Sequence, residues 1–535
     1  MSPGAHASPV LIPPNSRAAA VVREGQSGFA GPAPISAWVA GLSVLAIAIH
    51  VIFDGRYGYF RDEFYYAACG QHPAWGYVDH APLAPWLAQL SRKTLGDSLF
   101  ALRSLPALSA GVKVYLAGWI AREMGGRRFG QSLAALTVLL APIYLTFDNF
   151  FSMNAFEPVF WMLCAAIVLR IANRGDSRLW IAFGAVAGVG ILNKHSMLMF
   201  GSGIAAGLLL TPMRREFLRI WVWLAAAIAF LFFLPNLLWE IRNGWPTLAL
   251  YHAVAGVKYV VVSPLAYVLE QGLLTNPVAV PIWIAGLLFL LGNSRGKKYA
   301  VLGWAYLVML IEMMALHGKI YYLGPAYVML LAAGAVWLER LDLRAAWQWV
   351  RPTVVGAVAV AGIVAAPLAM PILPVDAAVS YCRFWDVRAV HVENVPQGDL
   401  PQIFGDMFGW QEQVASMARA YDGLPAAERG RATILAYNYG EAGAIDYLGA
   451  RYGLPHAISG HNQYGFWGPR GHSAETVLAI GFERAQLERF FGDVRPVDVA
   501  DPPHAMPEES DLTIYICRKP KASFEKSWGE WRYLS

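Results

Sequence analysis

Residues 217–239 read FLRIWVWLAAAIAFLFFLPNLLW, 23 positions in which Arg219 is the sole charge. At 1.5 Å per residue, a helix of this length spans the roughly 30 Å hydrocarbon core of a bilayer. Working outward, further apolar runs occur at about 35–53, 99–120, 129–147, 155–172, 179–193, 197–211, 276–292, 299–316, 321–338 and 352–373, eleven in all. The shorter ones need snorkelling flanks or re-entrant geometry to act as spans. Composition agrees: 56% of the 535 residues are hydrophobic and 15% charged, against roughly 25% charged in a soluble domain. A mean hydropathy of +0.40, with 20 Trp, 24 Tyr and 26 Phe, points to many spans with aromatic interfacial belts. An ordinary cytosolic enzyme is excluded. A net charge of +5 is too small a surplus to suggest a nucleic-acid partner. Cys69, Cys164, Cys382 and Cys517 show no C-x-x-C spacing and no histidine pattern, so neither a disulfide framework nor a zinc site follows.

Charge divides the chain. About 27 basic and 16 acidic residues precede position 375, and about 15 and 21 follow it. Residues 1–34, rich in Pro, Gly, Ala and Ser without an apolar period, read as a disordered cytoplasmic tail. Residues 35–374 read as a transmembrane domain, and 375–535 as a soluble α/β domain. In that last part RATILAY (431–437), TVLAIGF (476–482) and DLTIYICR (511–518) look like strands, with a helical stretch at 440–450. Short cytoplasmic loops accumulate Lys and Arg, and alternate loops here carry Arg122, Arg127 and Arg128; Arg174 and Arg178; Arg214, Arg215 and Arg219; Arg295, Lys297 and Lys298; Arg340, Arg344 and Arg351. That alternation requires the N-terminus inside and both the first long loop, 54–98, and the C-terminal domain outside. The expected fold class is therefore a multi-pass α-helical plasma-membrane protein of about eleven spans, N-in and C-out, with a C-terminal extracytoplasmic α/β domain. No internal repeat is visible, which counts against a transporter built from duplicated halves.

The candidate chemistry lies on the outer side of this topology. The first loop contains Arg56, Arg61, Asp62, Glu63, Asp79 and His80, a cluster at a water–lipid boundary that packing explains poorly. Asp62 suits a helix N-cap, its structural reading. The aromatic run after Glu63 predicts an interfacial helix, and Pro82 and Pro85 open a second amphipathic segment. The turn FDNFFSMNAFEPVFW brings Asp148, Asn154 and Glu157 to span ends, where a carboxylate facing the bundle interior is a functional candidate by default. ILNKHSML places Lys194 and His195 on the same side, and ALHGKIYYLGPAY places His317, Lys319, Tyr321 and Tyr322 there. Snorkelling lysines and a tyrosine belt are the structural reading of these. Cations gathered beside carboxylates also suit a substrate carrying a phosphate.

Four motifs carry a family resemblance: Arg61-Asp62-Glu63; Gly76-Tyr77-Val78-Asp79-His80-x-Pro82-Leu83; Glu157-Pro158-x-x-Trp161; and His317-Gly318-Lys319-x-Tyr321-Tyr322. In order and sidedness, over roughly residues 35–340, they resemble bacterial C-type membrane glycosyltransferases. More narrowly, they resemble the group of glycosyltransferase family 39 that includes protein O-mannosyltransferase-like and lipid A aminoarabinose transferase-like enzymes. In the tail, Gly440-Glu441-Ala442-Gly443-Ala444 and Ser459-Gly460-His461-Asn462 are similar to outer domains of such proteins. The resemblance implies a polyprenyl-phosphate sugar donor, an acceptor at the outer face and inversion at the anomeric carbon. The acceptor class, whether lipid, glycan or protein, stays open, as does the sugar.

Such a transfer needs a carboxylate to take the acceptor's proton, for which Asp62 is the candidate, and positive charge for the departing phosphate. The expected catalytic acids are Asp62, Glu63, Glu157 and Asp148. The expected phosphate-binding groups are Arg61, Lys194, His317, Lys319 and Tyr321, with Asp79, His80 and Tyr322 against substrate. Family members commonly hold a second Asp where this chain has Asn154, so Glu157 or Asp148 takes that role. Two acids permit a bridging divalent metal without requiring one. The prenyl chain would lie in a groove between spans. A transporter or flippase of lipid-linked sugars, and a membrane-anchored binding or assembly protein, are the other classes the pattern admits. The first needs polar groups along a path through the midplane, whereas the ionisable residues here cluster at one face, with Glu312 an exception.

Overall fold

The computed structural model describes residues 33–254, 262–386 and 394–535. The tail expected over 1–34 lies outside them but for its last two residues. Each of the eleven apolar runs contains a helix. Among the described residues six helices are long and apolar enough to cross a bilayer: Leu99–Glu123, Met153–Arg174, Ile220–Arg242, Lys297–Ala315, Ile320–Arg340 and Val350–Ala369. Three helix pairs bent by 58°, 108° and 106° raise the number to nine if each is one broken span. The second member of every pair starts on a proline: Pro142, Pro212 or Pro277. Proline lacks an N–H and drives the preceding residue out of the helical region, so the chain turns where the apolar pattern alone suggests a straight rod. The remaining two runs form shorter apolar helices, Ala37–Phe53 and Ser177–Asn193. Length and composition thus give six to nine spans, against an expectation of about eleven.

Burial separates the helices. Over its most apolar stretch Ile320–Arg340 is 78% buried inside the protein, while Ile220–Arg242 is 11% and Val350–Ala369 17% buried. Helices apolar all round and left bare belong in lipid. Inside the bundle, missing side chains set the spacing. A Cβ on Gly286 would collide with the carbonyl of Leu330, and one on Gly334 with that of Ile282, the close contact that holds apolar helices together where no solvent drives them.

The first loop folds into helices Arg61–Gln71 and Leu83–Leu95. The cap of the first departs from expectation. Phe60 is the N-cap residue, and Glu63 turns its carboxylate back onto the Phe60 N–H at 2.8 Å, as the acidic member of a capping box does. Asp62 sits inside the first turn with its carboxylate directed elsewhere.

The C-terminal sheet domain has five strands: β1 (Thr433–Ala436), β2 (Ala457–Ser459), β3 (Thr476–Ile480), β4 (Phe491–Ala500) and β5 (Leu512–Pro520), ordered β2-β1-β3-β5-β4. β1 runs parallel to β2 and β3, and β5 is antiparallel to β3 and β4. The three expected strand runs became β1, β3 and β5. β1 and β3 are buried along their whole length, as strands covered on both faces are. The chain leaves β1 directly into helix Tyr439–Leu448, which Asn438 caps by accepting from the Gly440 and Glu441 N–H groups. It leaves β2 into Ser459-Gly460-His461-Asn462. The carboxyl ends of two adjacent parallel strands therefore carry Tyr439, His461 and Asn462 to one edge of the sheet, the place where α/β folds put ligand-binding groups.

Candidate active site

That edge lies on the first-loop helix. Tyr439 Oη donates to Asp62 Oδ1 at 2.8 Å, and Asn462 Nδ2 to Asp79 Oδ2 at 3.1 Å. Asp79 Oδ1 also accepts from Tyr65 Oη at 2.9 Å, and Tyr65 in turn accepts the Gln463 N–H at 3.0 Å. The rings stack in a column. Tyr65 lies 4.4 Å from Tyr439, Tyr439 4.7 Å from His461, and His461 4.6 Å from Tyr533. Two glycines make this approach possible. A Cβ on Gly440 would lie 2.5 Å from Arg61 Cγ, and one on Gly443 2.8 Å from Phe64 Cβ. The Gly440–Ala444 motif is therefore a docking face whose small residues admit the first-loop helix.

Electrostatics join this seam to the bundle. Burial pushes the Asp79 carboxyl above the ordinary carboxylate range, while His80 and the Tyr65 hydroxyl oppose it. Burial pushes His80 down and so favours its neutral form; Asp79 and Asp62 pull it up and His195 adds to the fall. Its buried Nε2 makes no hydrogen bond among the described residues and lies 3.7 Å from Asp79 Oδ1. Burial, opposed by Arg61 and reinforced by Asp62, holds the Tyr439 hydroxyl far above the usual tyrosine range, so it remains an O–H donor. The Tyr66 hydroxyl feels both Asp62 and Asp79 and, against them, the Met153 backbone. Met153 precedes Asn154, where the second half of the site begins.

There Lys194 Nζ donates to Asn154 Oδ1 at 2.8 Å and to Glu157 Oε2 at 2.9 Å. It lies 4.4 Å from the Tyr322 ring and 5.7 Å from the Tyr321 ring, an ammonium held between a carboxylate and two π-faces. Ser196 donates to the other Glu157 oxygen. Phe147, Asn154, Glu157, Tyr321 and the backbone at Gly324 line a cleft beside it, and Lys319 Nζ lies 5.9 Å from the Tyr321 ring. His195 Nε2 bonds Asn236 Oδ1 at 2.9 Å, and Asn236 Nδ2 donates to the Trp75 carbonyl at 2.8 Å. The lone amide of the 217–239 run thus ties a lipid-facing helix to the first loop.

Four expected site residues find other places. Glu63 is fully buried, and its oxygens accept from Arg103 Nε at 2.9 Å, Arg103 Nη2 at 2.8 Å, the Phe60 N–H at 2.8 Å and the Phe151 N–H at 2.7 Å. Four donors occupy its lone pairs, so it anchors the loop and offers nothing to a substrate. Asp148 pairs with Lys113, which also donates to the Ala155 carbonyl at 3.1 Å. Both members of this pair are buried in the bundle. Arg61 turns from the Lys194 cleft to the C-terminal domain, 5.4 Å over the Tyr439 ring with Nη1 3.9 Å from Glu508 Oε1. His317 is exposed in a left-handed turn, φ 51°. Among the described residues no group of three or more His, Cys, Asp and Glu is placed to hold a metal ion.

Sequence reasoning missed Arg103, Lys113, Tyr439 and Asn236 as partners. The first two carried a signal, two cations inside one apolar run, 99–120. Tyr439 carried none, since 377 residues separate it from Asp62.

Residues 79–239 match the family model described as dolichyl-phosphate-mannose-protein mannosyltransferase. The matched segment holds Asp79, Glu157 and Lys194 and begins after Asp62. No curated protein matches the chain by sequence. Among solved structures, ArnT from Cupriavidus metallidurans in the apo state superposes with a TM-score of 0.61 at 14% identity, covering 90% of this chain and 97% of that one. The same protein bound to undecaprenyl phosphate gives 0.60 at 14% identity, covering 90% and 98%. The chain is thus a multi-pass membrane protein that resembles glycosyltransferase family 39 in sequence over residues 79–239 and has the fold of the ArnT structures.

Proposed function

We propose that the protein moves a sugar from a polyprenyl-phosphate donor to an acceptor hydroxyl or amine at the outer face of the plasma membrane, with inversion at the anomeric carbon. The observation that carries this reading is a division of labour between two clusters. Asp62 is a carboxylate held by a neutral hydroxyl, and Lys194 is a cation presented between Glu157, Asn154 and two tyrosine rings. The ArnT structure that binds undecaprenyl phosphate shares the fold and supports the donor class.

In the reaction the acceptor atom bonds to the anomeric carbon, the bond from that carbon to the phosphate oxygen breaks, and the polyprenyl phosphate leaves as an anion. Asp62 takes the acceptor's proton. Lys194, with Lys319 at the cleft edge, meets the charge gathering on the leaving phosphate. Glu157 holds Lys194 in place until the phosphate competes for it. His80 Nε2 and Asp79 face the acceptor side, and Tyr321 and Tyr322 flank the sugar phosphate. The N-terminus lies inside the cell. Residues 35–374 form the transferase domain and 375–535 an extracytoplasmic domain.

Purified protein in undecaprenyl-phosphate-free detergent, offered radiolabelled undecaprenyl-phosphate pentoses and hexoses with extracted envelope lipids, glycans and proteins, should transfer label. Asp62→Asn should abolish transfer while undecaprenyl phosphate still binds. Full transfer by that variant removes the base.

A further inference from the structure

We propose that Tyr439 and Asn462 are positioning residues of the transfer reaction, fixing the Asp62 and Asp79 carboxylates, so that the active site is completed by the C-terminal domain. The inference rests on the reading of Asp62 as the base and deepens it. In the seam, Tyr439 Oη lies 2.8 Å from Asp62 Oδ1 and Asn462 Nδ2 3.1 Å from Asp79 Oδ2. Both donors issue from carboxyl ends of neighbouring parallel strands, β1 and β2, so one rigid sheet edge sets their separation.

Each donor is itself held. The Tyr439 ring is stacked between Tyr65 at 4.4 Å and His461 at 4.7 Å. Its backbone N–H donates to His461 Nδ1 at 3.3 Å. Asn462 Oδ1 accepts the Ser535 N–H at 3.2 Å, which orients the amide with Nδ2 toward Asp79. The domain's own helix cannot retreat without opening the contacts at Gly440 and Gly443. A carboxylate that must meet an acceptor proton at hydrogen-bond range gains from such a fixed donor, because the rotamer search is done before substrate arrives. One Asp62 oxygen is tethered by Tyr439, which leaves the other for the acceptor.

Tyr439→Phe keeps the ring stack and removes only the hydroxyl. In the full-length protein, with the radiolabelled undecaprenyl-phosphate sugar it turns over, kcat should fall on the order of 10-fold or more, the scale of one hydrogen bond to a charged group. The Kd for undecaprenyl phosphate should stay within about twofold of the unaltered protein. On an Asp62→Asn background the same change should add no further loss, because it acts through that carboxylate. Asn462→Ala should raise the KM for acceptor and leave the donor Kd unaltered.

Wild-type kcat in Tyr439→Phe, with Asp62→Asn inactive, overturns the inference and leaves the base standing. So does a fall in kcat matched by an equal loss of undecaprenyl phosphate binding, or by new protease cleavage between bundle and sheet domain, since either marks a merely structural contact. Activity in Asp62→Asn overturns the reading beneath it.

Discussion

In the bundle, carboxylates meet cations: Glu63 with Arg103, Asp148 with Lys113 and Glu157 with Lys194. In the seam they meet neutral donors: Asp62 with Tyr439, and Asp79 with Tyr65 and Asn462. Arg61, the arginine of the seam, faces Glu508. The bundle pairs cancel their charge and resist separation, because removing one partner leaves the other uncompensated in a low dielectric. The seam acids are instead fixed by hydroxyl and amide donors, which hold a carboxyl group in place without an ion pair at hydrogen-bond range. Adjacent residues can therefore have opposite fates, as Asp62 and Glu63 do within one helical turn.

The sharpest test of this contrast sets those two side by side. Asp62→Asn should cost on the order of 10²–10⁴ in transfer rate and leave thermal unfolding in detergent unchanged. Glu63→Gln should do the reverse, destabilising the fold by about 3–5 kcal/mol through the stranded Arg103, read as a lowered Tm and poor recovery of monodisperse protein. A stable, inactive Glu63→Gln would erase the distinction. Lys194→Gln should weaken undecaprenyl phosphate binding by about 10-fold, the equivalent of about 1.4 kcal/mol, by titration of the purified protein; unchanged affinity moves the phosphate site elsewhere.

The smallest effect concerns a carboxylate pair behind Arg61. Asn438 Nδ2 donates to Glu441 Oε1 at 3.1 Å and to Glu509 Oε1 at 2.8 Å, and Gln413 Nε2 donates to Glu509 Oε2 at 3.1 Å. Burial raises both acids above the ordinary glutamate range, with Glu509 adding to the rise of Glu441 and Arg61 opposing it at both. The folded protein therefore retains protons that the unfolded chain releases. The stability this contributes is full below the ordinary glutamate value and is lost as pH climbs through the raised values. Tm measured across that interval should fall with rising pH, and Glu509→Gln should flatten the slope. An identical slope in both proteins would place the titration elsewhere.

What the sequence revealed follows the range of the interactions. Apolar runs, the two first-loop helices and the strands β1, β3 and β5 are written in local periodicity and were legible. β2 is only Ala457–Ser459, too short for alternation to register. β4, FGDVRPVDVA, carries charges and Pro496 because it is an edge strand, which hides it from an apolar pattern. The proline breaks were visible as prolines but not as bends of 58° to 108°. In the site, Lys194 beside Glu157 was foreseeable from sidedness, and the structure does gather Tyr321 and Tyr322 around that lysine. The roles of Glu63 and Arg61 were not, because Arg103 lies 40 residues from Glu63 and Glu508 at the far end of the chain. Short-range chemistry marks which residues can react, whereas long-range pairing decides which of them are already spent.

Gly443 gives the seam a built-in gauge. Its missing side chain leaves helix Tyr439–Leu448 against Phe64, where an added methyl would sit 2.8 Å from that residue's Cβ and 3.2 Å from its carbonyl carbon. Alanine, then valine, at position 443 would act as shims of increasing thickness. The turnover of that series would calibrate how many tenths of an ångström of play between Tyr439 and Asp62 the chemistry tolerates.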